Sequence, residues 1–73
     1  MVESDRSLEF DFRFEQTLAK AQAVLGSVDT AREWLATENL ALGGVTPLSL
    51  LDRPDGFQSV LDVLHRIEYG VFS

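Results

Sequence analysis

The sequence predicts a single all-α domain, a small bundle of about four helices. Apolar residues recur at helical spacing near both ends of the chain, first at Phe10, Phe14, Leu18, Ala21 and Leu25 and later at Phe57, Val60, Leu61, Leu64 and Ile67. Turn signals separate these segments at three places: Gly26-Ser27, Gly43-Gly44 and Pro54-Asp55-Gly56. From these observations we predict helices near residues 8–25, 28–37, 47–52 and 56–69.

The first segment permits two interpretations. Between residues 8 and 14 apolar and charged side chains alternate, and this period of two is typical of a half-buried strand. No second alternating segment exists with which such a strand could pair inside the chain, so a helix from roughly Leu8 or Phe14 to Leu25 is favoured. In that helix Leu8 and Phe12 point away from the main apolar stripe. A second apolar face of this kind is a candidate surface for self-association as a homodimer. The alternative is that Phe12 folds back over the edge of the core.

The second helix should follow the first directly. Gly26 is placed to end the first helix and Ser27 to cap the second, whose early Asp29 complements the positive end of the helix dipole. Trp34 lies beside the inner face of this helix and is expected to anchor the core. The alternative is that Trp34 is a hot spot for binding another protein.

A glycine corner is predicted after the second helix. Gly43 and Gly44 supply backbone angles with positive φ, which residues with a side chain rarely adopt. Thr46 can then cap a new helix that begins at Pro47, where the missing N–H of proline costs nothing. Apolar residues gather on both sides of this corner: Trp34, Leu35, Leu40, Leu42, Leu48, Leu50 and Leu51.

The last helix carries start and stop signals of its own. Asp55 followed by Gln58 resembles a capping box, so the helix is expected to begin at about Gly56. Gly70 is placed to terminate the helix. Residues 71–73 are then too few to form an element and are expected to project beyond the packed core.

Composition and charge argue against several classes of function. The 73 residues include twelve acidic and six basic ones, a net charge of −6, without the basic cluster that binds the phosphates of nucleic acid. With no cysteine and one histidine, His65, we expect no disulfide, metal site, cofactor or enzymatic activity. No signal peptide or membrane span is recognisable, so a cytoplasmic protein is expected. An acidic chain instead favours a basic protein surface as its partner.

The corner and the last helix together carry a family resemblance. The pattern consists of Trp34-Leu35, Asn39, Leu42-Gly43-Gly44, Thr46-Pro47 and Leu50-Leu51, then Gly56, Val60, Leu64 and Arg66-Ile67-Glu68-Tyr69-Gly70-Val71. It resembles the toxin-binding domain of the bacterial Xre/MbcA/ParS antitoxins, from about Ala21 to Phe72. The resemblance implies an N-terminal arm or helix extension over residues 1–13 and a toxin-binding domain over residues 14–73. Its structural motif here comprises Trp34, Gly43, Gly44, Thr46 and Pro47.

The resemblance also implies a partner. In that family the domain pairs with a toxin of the RES type, which consumes NAD, and covers the toxin's active-site cleft with its C-terminal end close by. Carried over to this chain, the partner-binding segment comprises Glu68, Tyr69, Gly70, Val71, Phe72 and Ser73. The structural alternative is that Tyr69 and Phe72 fold back onto Trp34 and complete the core.

One departure from the family pattern bears on function. Family members commonly carry a helix-turn-helix DNA-binding domain before this one, whereas only about 20 residues precede the matching region here. The chain is then either an excised domain or a short member, and no nucleic-acid binding is expected from it. The alternative function is a dimerisation or interaction module of a transcriptional regulator that has no toxin target.

Overall fold

The computed structural model describes residues 2–70. This part of the chain contains three α-helices, α1 (Val2–Leu25), α2 (Val28–Leu35) and α3 (Pro54–Glu68), and no β-strand. Both α2 and α3 pack against α1 and together they enclose one hydrophobic core. The prediction of an all-α domain is therefore confirmed.

Helix α1 is continuous through the segment that also permitted a strand. Glu9 and Arg13, one helical turn apart, form an ion pair in which Arg13 Nη2 lies 3.7 Å from Glu9 Oε1. The Phe10 and Phe14 rings stack with their centroids 6.4 Å apart, and both pack against the core. The helical interpretation of residues 8–14 is thus confirmed. Helix α1 begins at Val2, six residues before the earliest predicted start at Leu8.

The core lies where the apolar stripes of the three helices meet. Its buried residues come from α1, α2, α3 and the segment before α3: Ala21, Ala31, Leu51, Val60 and Leu64. Larger half-buried side chains surround them: Phe10, Phe14, Leu18, Leu25, Trp34, Leu42, Leu50 and Phe57. Thr17 is the one buried polar residue in the described core, and its hydroxyl donates a hydrogen bond of 2.7 Å to the carbonyl of Arg13. Burying this hydroxyl is therefore tolerated, because its hydrogen bond is satisfied.

Helix α2 begins as its sequence indicates. The Thr30 N–H donates to Ser27 Oγ at 3.1 Å, so Ser27 caps the helix as predicted. The helix ends at Leu35, two residues short of the predicted end at Thr37. Trp34 is half-buried and packs against the core, in agreement with the interpretation of this residue as a core anchor.

The glycine corner is a closed loop. Asn39 and Val45 form an antiparallel bridge, in which the Asn39 N–H donates to the Val45 carbonyl at 3.0 Å. Gly43 and Gly44 have φ angles of 85° and 87°, so both glycines adopt the left-handed conformation predicted for them. The Gly44 N–H donates to the Asn39 carbonyl at 2.9 Å. These backbone bonds hold the two ends of the loop together.

Two 3-10 turns, Leu40–Leu42 and Leu48–Leu50, lie between α2 and α3. The second turn occupies the place of the helix predicted over residues 47–52, so residues 2–70 contain three α-helices and the predicted count of about four is not confirmed. Thr46 does cap this turn, because its Oγ1 accepts a hydrogen bond from the Ser49 N–H at 3.2 Å. Pro47 precedes the turn and is buried.

Helix α3 starts two residues earlier than predicted, with Pro54 at its first position. The expected capping box does not form. Asp55 Oδ1 accepts from the neighbouring Gly56 N–H at 3.0 Å, and the Gln58 side-chain amide donates to Asp62 Oδ1 at 3.1 Å instead of reaching back. The start of the helix therefore depends on the backbone geometry of proline rather than on reciprocal side-chain caps.

Gly56 is a point of close approach between α3 and the second 3-10 turn. A Cβ atom at this position would lie 2.9 Å from Leu50 Cβ and would overlap the Leu50 carbonyl oxygen. Only glycine lets the two segments approach this closely.

We predict that Gly56→Ala destabilises the domain. Alanine normally stabilises a helix by about 0.5–1 kcal/mol relative to glycine. Here the overlap with the Leu50 backbone should instead lower the free energy of unfolding by about 1–3 kcal/mol. Urea denaturation followed by circular dichroism measures the change, with the exposed α3 variant Ser59→Ala as the control. A Gly56→Ala variant at least as stable as the wild type would contradict the close approach.

Candidate functional site

Two side chains of α1 connect it to the two ends of α3. Arg13 Nη1 donates a hydrogen bond of 3.2 Å to the carbonyl of Leu51, just before α3 begins. Lys20 Nζ forms an ion pair and hydrogen bond with Glu68 Oε1, at the end of α3. Because the earlier of the two α1 residues contacts the start of α3 and the later one contacts its end, α1 and α3 run in the same general direction. The last turn of α3 is held against α1.

The hydrogen bond to the Glu68 carboxylate raises the pKa of Lys20 above its ordinary value.

Tyr69 lies directly after this ion pair. Its backbone N–H donates to the His65 carbonyl at 3.0 Å, and the Tyr69 and His65 rings lie 4.5 Å apart between centroids. The Tyr69 residue nevertheless remains 64% exposed. Gly70 follows with a φ of 72°, the left-handed conformation that ends a helix, as predicted. The end of α3 thus presents an aromatic side chain whose backbone is fixed.

The predicted partner-binding segment is only partly described. Glu68, Tyr69 and Gly70 lie together at the end of α3, whereas Val71, Phe72 and Ser73 lie outside the described residues. The Glu68 carboxylate pairs with Lys20 within the chain, an interaction between residues 48 positions apart that sequence spacing did not reveal.

The predicted self-association residues lie elsewhere on the domain. Leu8 and Phe12 occupy the first half of α1 and are 65% and 60% exposed, on the side of the helix away from the core. Phe12 precedes Lys20 by eight residues, about 12 Å along the helix axis. The structure therefore does not bring the self-association residues together with the end of α3.

Sequence reasoning did not anticipate the exposure of Leu40, the most exposed large apolar residue among those that the structure describes. The sequence analysis placed Leu40 among the apolar residues that gather around the glycine corner. Leu40 is nevertheless 93% exposed, while nearby Leu42 packs against the core. The first 3-10 turn explains the difference, because successive residues of so short a turn point in different directions. The asparagine cap and the double glycine indicate a tight turn, but they do not indicate which of the two leucines is exposed to solvent.

The described side chains offer apolar area and carboxylates for contact with a partner. Among residues 2–70 no group of three or more histidine, aspartate or glutamate side chains is arranged to hold a metal ion. None of the three helices, over the same residues, is long and apolar enough to cross a membrane.

Comparison with known proteins gives a family match. The sequence model of the antitoxin Xre/MbcA/ParS C-terminal toxin-binding domain matches residues 20–70. The match begins at Lys20 and therefore includes α2, the glycine corner and all of α3.

Two curated relatives are both named antitoxin Xre. The protein from Photorhabdus laumondii is 40% identical over 48 residues, covering 66% of this chain and 32% of the relative. The protein from Pseudomonas putida is 31% identical over 74 aligned positions, covering 94% of this chain and 46% of the relative. The chain therefore spans less than half the length of either relative. No solved structure matches the chain.

Proposed function

The chain belongs to the Xre/MbcA/ParS antitoxin family, and on that premise we propose that it binds and neutralises a RES-domain toxin that degrades NAD. The observation that carries this proposal is the match of the toxin-binding domain to residues 20–70. We infer the RES type of the toxin from the resemblance of the sequence motifs to those of this family, whose members pair with RES-type toxins. The protein would act in the bacterial cytoplasm, without binding nucleic acid through this domain.

The proposed mode of inhibition is coverage of the toxin's active-site cleft by residues 68–73. Tyr69 supports this mode, because a large aromatic side chain with few rotatable bonds suits an interface anchor. The Lys20–Glu68 pair also supports it, since it holds the end of α3 against α1 before any partner arrives. A segment that starts from a fixed point loses less conformational entropy on binding.

Charge supports a basic toxin surface as the partner. The net charge of −6 attracts such a surface over distances of several ångströms and discourages association with acidic proteins. Electrostatic complementarity of this kind raises the association rate more than it raises the final affinity. The acidic composition therefore contributes mainly to fast capture of the toxin.

We also propose that residues 14–73 form the toxin-binding domain and that residues 1–13 extend α1 for self-association as a homodimer. Leu8 and Phe12 support this division, because both are exposed and both precede the family match at residues 20–70. Burying apolar side chains that the core leaves in water is favourable, and a second copy of α1 offers a matching surface.

Co-expression tests the proposed function. The chain is expressed with a RES-domain toxin, and cellular NAD is measured in parallel with cells that express each protein alone. NAD should fall in cells with the toxin alone and stay near the uninduced level when both proteins are present. If the chain neither binds the toxin in a pull-down nor protects NAD, the alternative of a regulator's dimerisation module is favoured.

Removal of residues 69–73 tests the mode of inhibition. This truncation keeps Glu68 and its pair with Lys20, so helicity by circular dichroism and most of the toxin affinity should be retained. NAD loss should return in cells that express the toxin with the truncated chain. A sharp drop in melting temperature would instead indicate that the tail completes the core. A folded truncated chain that still protects fully would contradict inhibition by the tail.

Sedimentation at micromolar concentration tests self-association. The wild-type chain should sediment as a dimer, and Phe12→Ser should shift it to a monomer because the exposed apolar surface of α1 is lost. Leu48→Ser, which changes an exposed apolar residue outside α1, serves as the control and should leave the dimer intact. A monomeric wild-type chain would contradict the proposed self-association.

A further inference from the structure

We propose that Leu40 is a second anchor for the toxin, separate from the C-terminal end. This inference rests on the proposed function, because it assigns a contact residue to the same partner. The segment that carries it, residues 39–45, is called the Leu40 loop below. The inference rests on the rigidity of this loop, the exposure of its leucine and the charge of its surroundings.

The Leu40 loop is held from both sides. At its start, Asn39 Oδ1 accepts a hydrogen bond from the Ala41 N–H at 2.9 Å, which caps the first 3-10 turn. At its end, the bridge between Asn39 and Val45 and the left-handed Gly43 and Gly44 close the loop. Leu40 is therefore presented on a fixed backbone, and a contact made there loses little backbone entropy.

Within this rigid loop the two leucines have opposite environments. Leu42 packs against the core, whereas Leu40 is 93% exposed, the highest value among the large apolar residues of the described chain. The contacts that hold the loop are backbone bonds and the Asn39 cap, so the Leu40 side chain contributes little to the fold. A rigidly presented apolar side chain that the fold does not use suits insertion into a pocket of another protein.

The surroundings of the loop indicate the chemistry of the partner. Asp52, Arg53 and Asp55 line the groove beside the loop, and Arg53 pairs with Asp55, so this groove carries one more carboxylate than cation. The exposed leucine and this charge fit an apolar pocket with a basic group at its rim, and we assign that pocket to the toxin. The family match supports this choice, because it includes the Leu40 loop.

Leu40 lies near the start of α3, whereas Tyr69 directly follows its end. Ala41, Leu42, Gly56 and Ser59 line one groove of about 600 Å³, so the Leu40 loop lies beside the start of α3. Tyr69 follows Gly56 by 13 residues, a separation of about 20 Å along a helix. An interface of ordinary size, about 800 Å² on each partner, extends far enough to include both. The loop is thus an anchor whose loss should weaken binding without opening the toxin's cleft directly.

The test measures the affinity of Leu40→Ala for the purified RES-domain toxin that the wild-type chain binds. Calorimetric titration should give a dissociation constant about 30-fold higher than that of the wild type, as for an interface hot spot. Helicity and melting temperature should be unchanged, because Leu40 is exposed. Leu48→Ala is the matched control: it makes the same truncation at an exposed leucine of the second 3-10 turn and should bind the toxin as the wild type does.

The possible outcomes separate this inference from the proposed function. If wild type and Leu40→Ala bind the toxin equally, the Leu40 anchor is overturned and the proposed function stands. If the wild type itself does not bind the toxin, the proposed function fails, and this inference fails with it. If Leu40→Ala converts a sedimenting dimer into a monomer, the loop contacts a second copy, and the assignment to the toxin is overturned.

Discussion

The packing of α1 against both other helices is the constraint on which the rest of the structure depends. Helices α2 and α3 each pack chiefly on α1 and little on one another, so α1 supplies the common surface of the core. Two polar contacts fix that arrangement, one from Arg13 to the Leu51 carbonyl and one from Lys20 to Glu68. A chain of 73 residues buries only about 60% of its unfolded surface, so few contacts can be lost without unfolding.

Local patterns in the sequence predicted most of the backbone. The helical spacing of Phe10, Phe14 and Leu18 outweighed the alternation around them, because a lone strand has no partner for its hydrogen bonds. The left-handed conformations of Gly43 and Gly44 were predicted correctly, because a double glycine directly indicates positive φ angles. The helix predicted over residues 47–52 is replaced by a 3-10 turn whose Leu50 backbone lies against Gly56, a tertiary contact that no local pattern contains.

Sequence reasoning was weaker for the candidate site. The exposure of Leu8 and Phe12 followed from helical geometry, since both lie opposite the core stripe. The pairing of Glu68 with Lys20 could not be predicted, because it joins residues that only the folding of α1 against α3 brings together. Leu40 could not be distinguished from Leu42 for a similar reason: the sequence predicts a turn, and only the orientation of that turn decides which leucine is buried.

The small core links stability to binding. A core of this size rarely provides more than about 3–5 kcal/mol, and the domain leaves large apolar side chains such as Leu40 and Tyr69 in water. A partner that covers such residues binds only the folded chain, and at 100 times its dissociation constant it adds about 2.7 kcal/mol to the stability. The free domain therefore unfolds more often than the bound one. Because the residues left exposed are also the candidate contacts, a tighter core made by burying them would remove the surface that the partner needs.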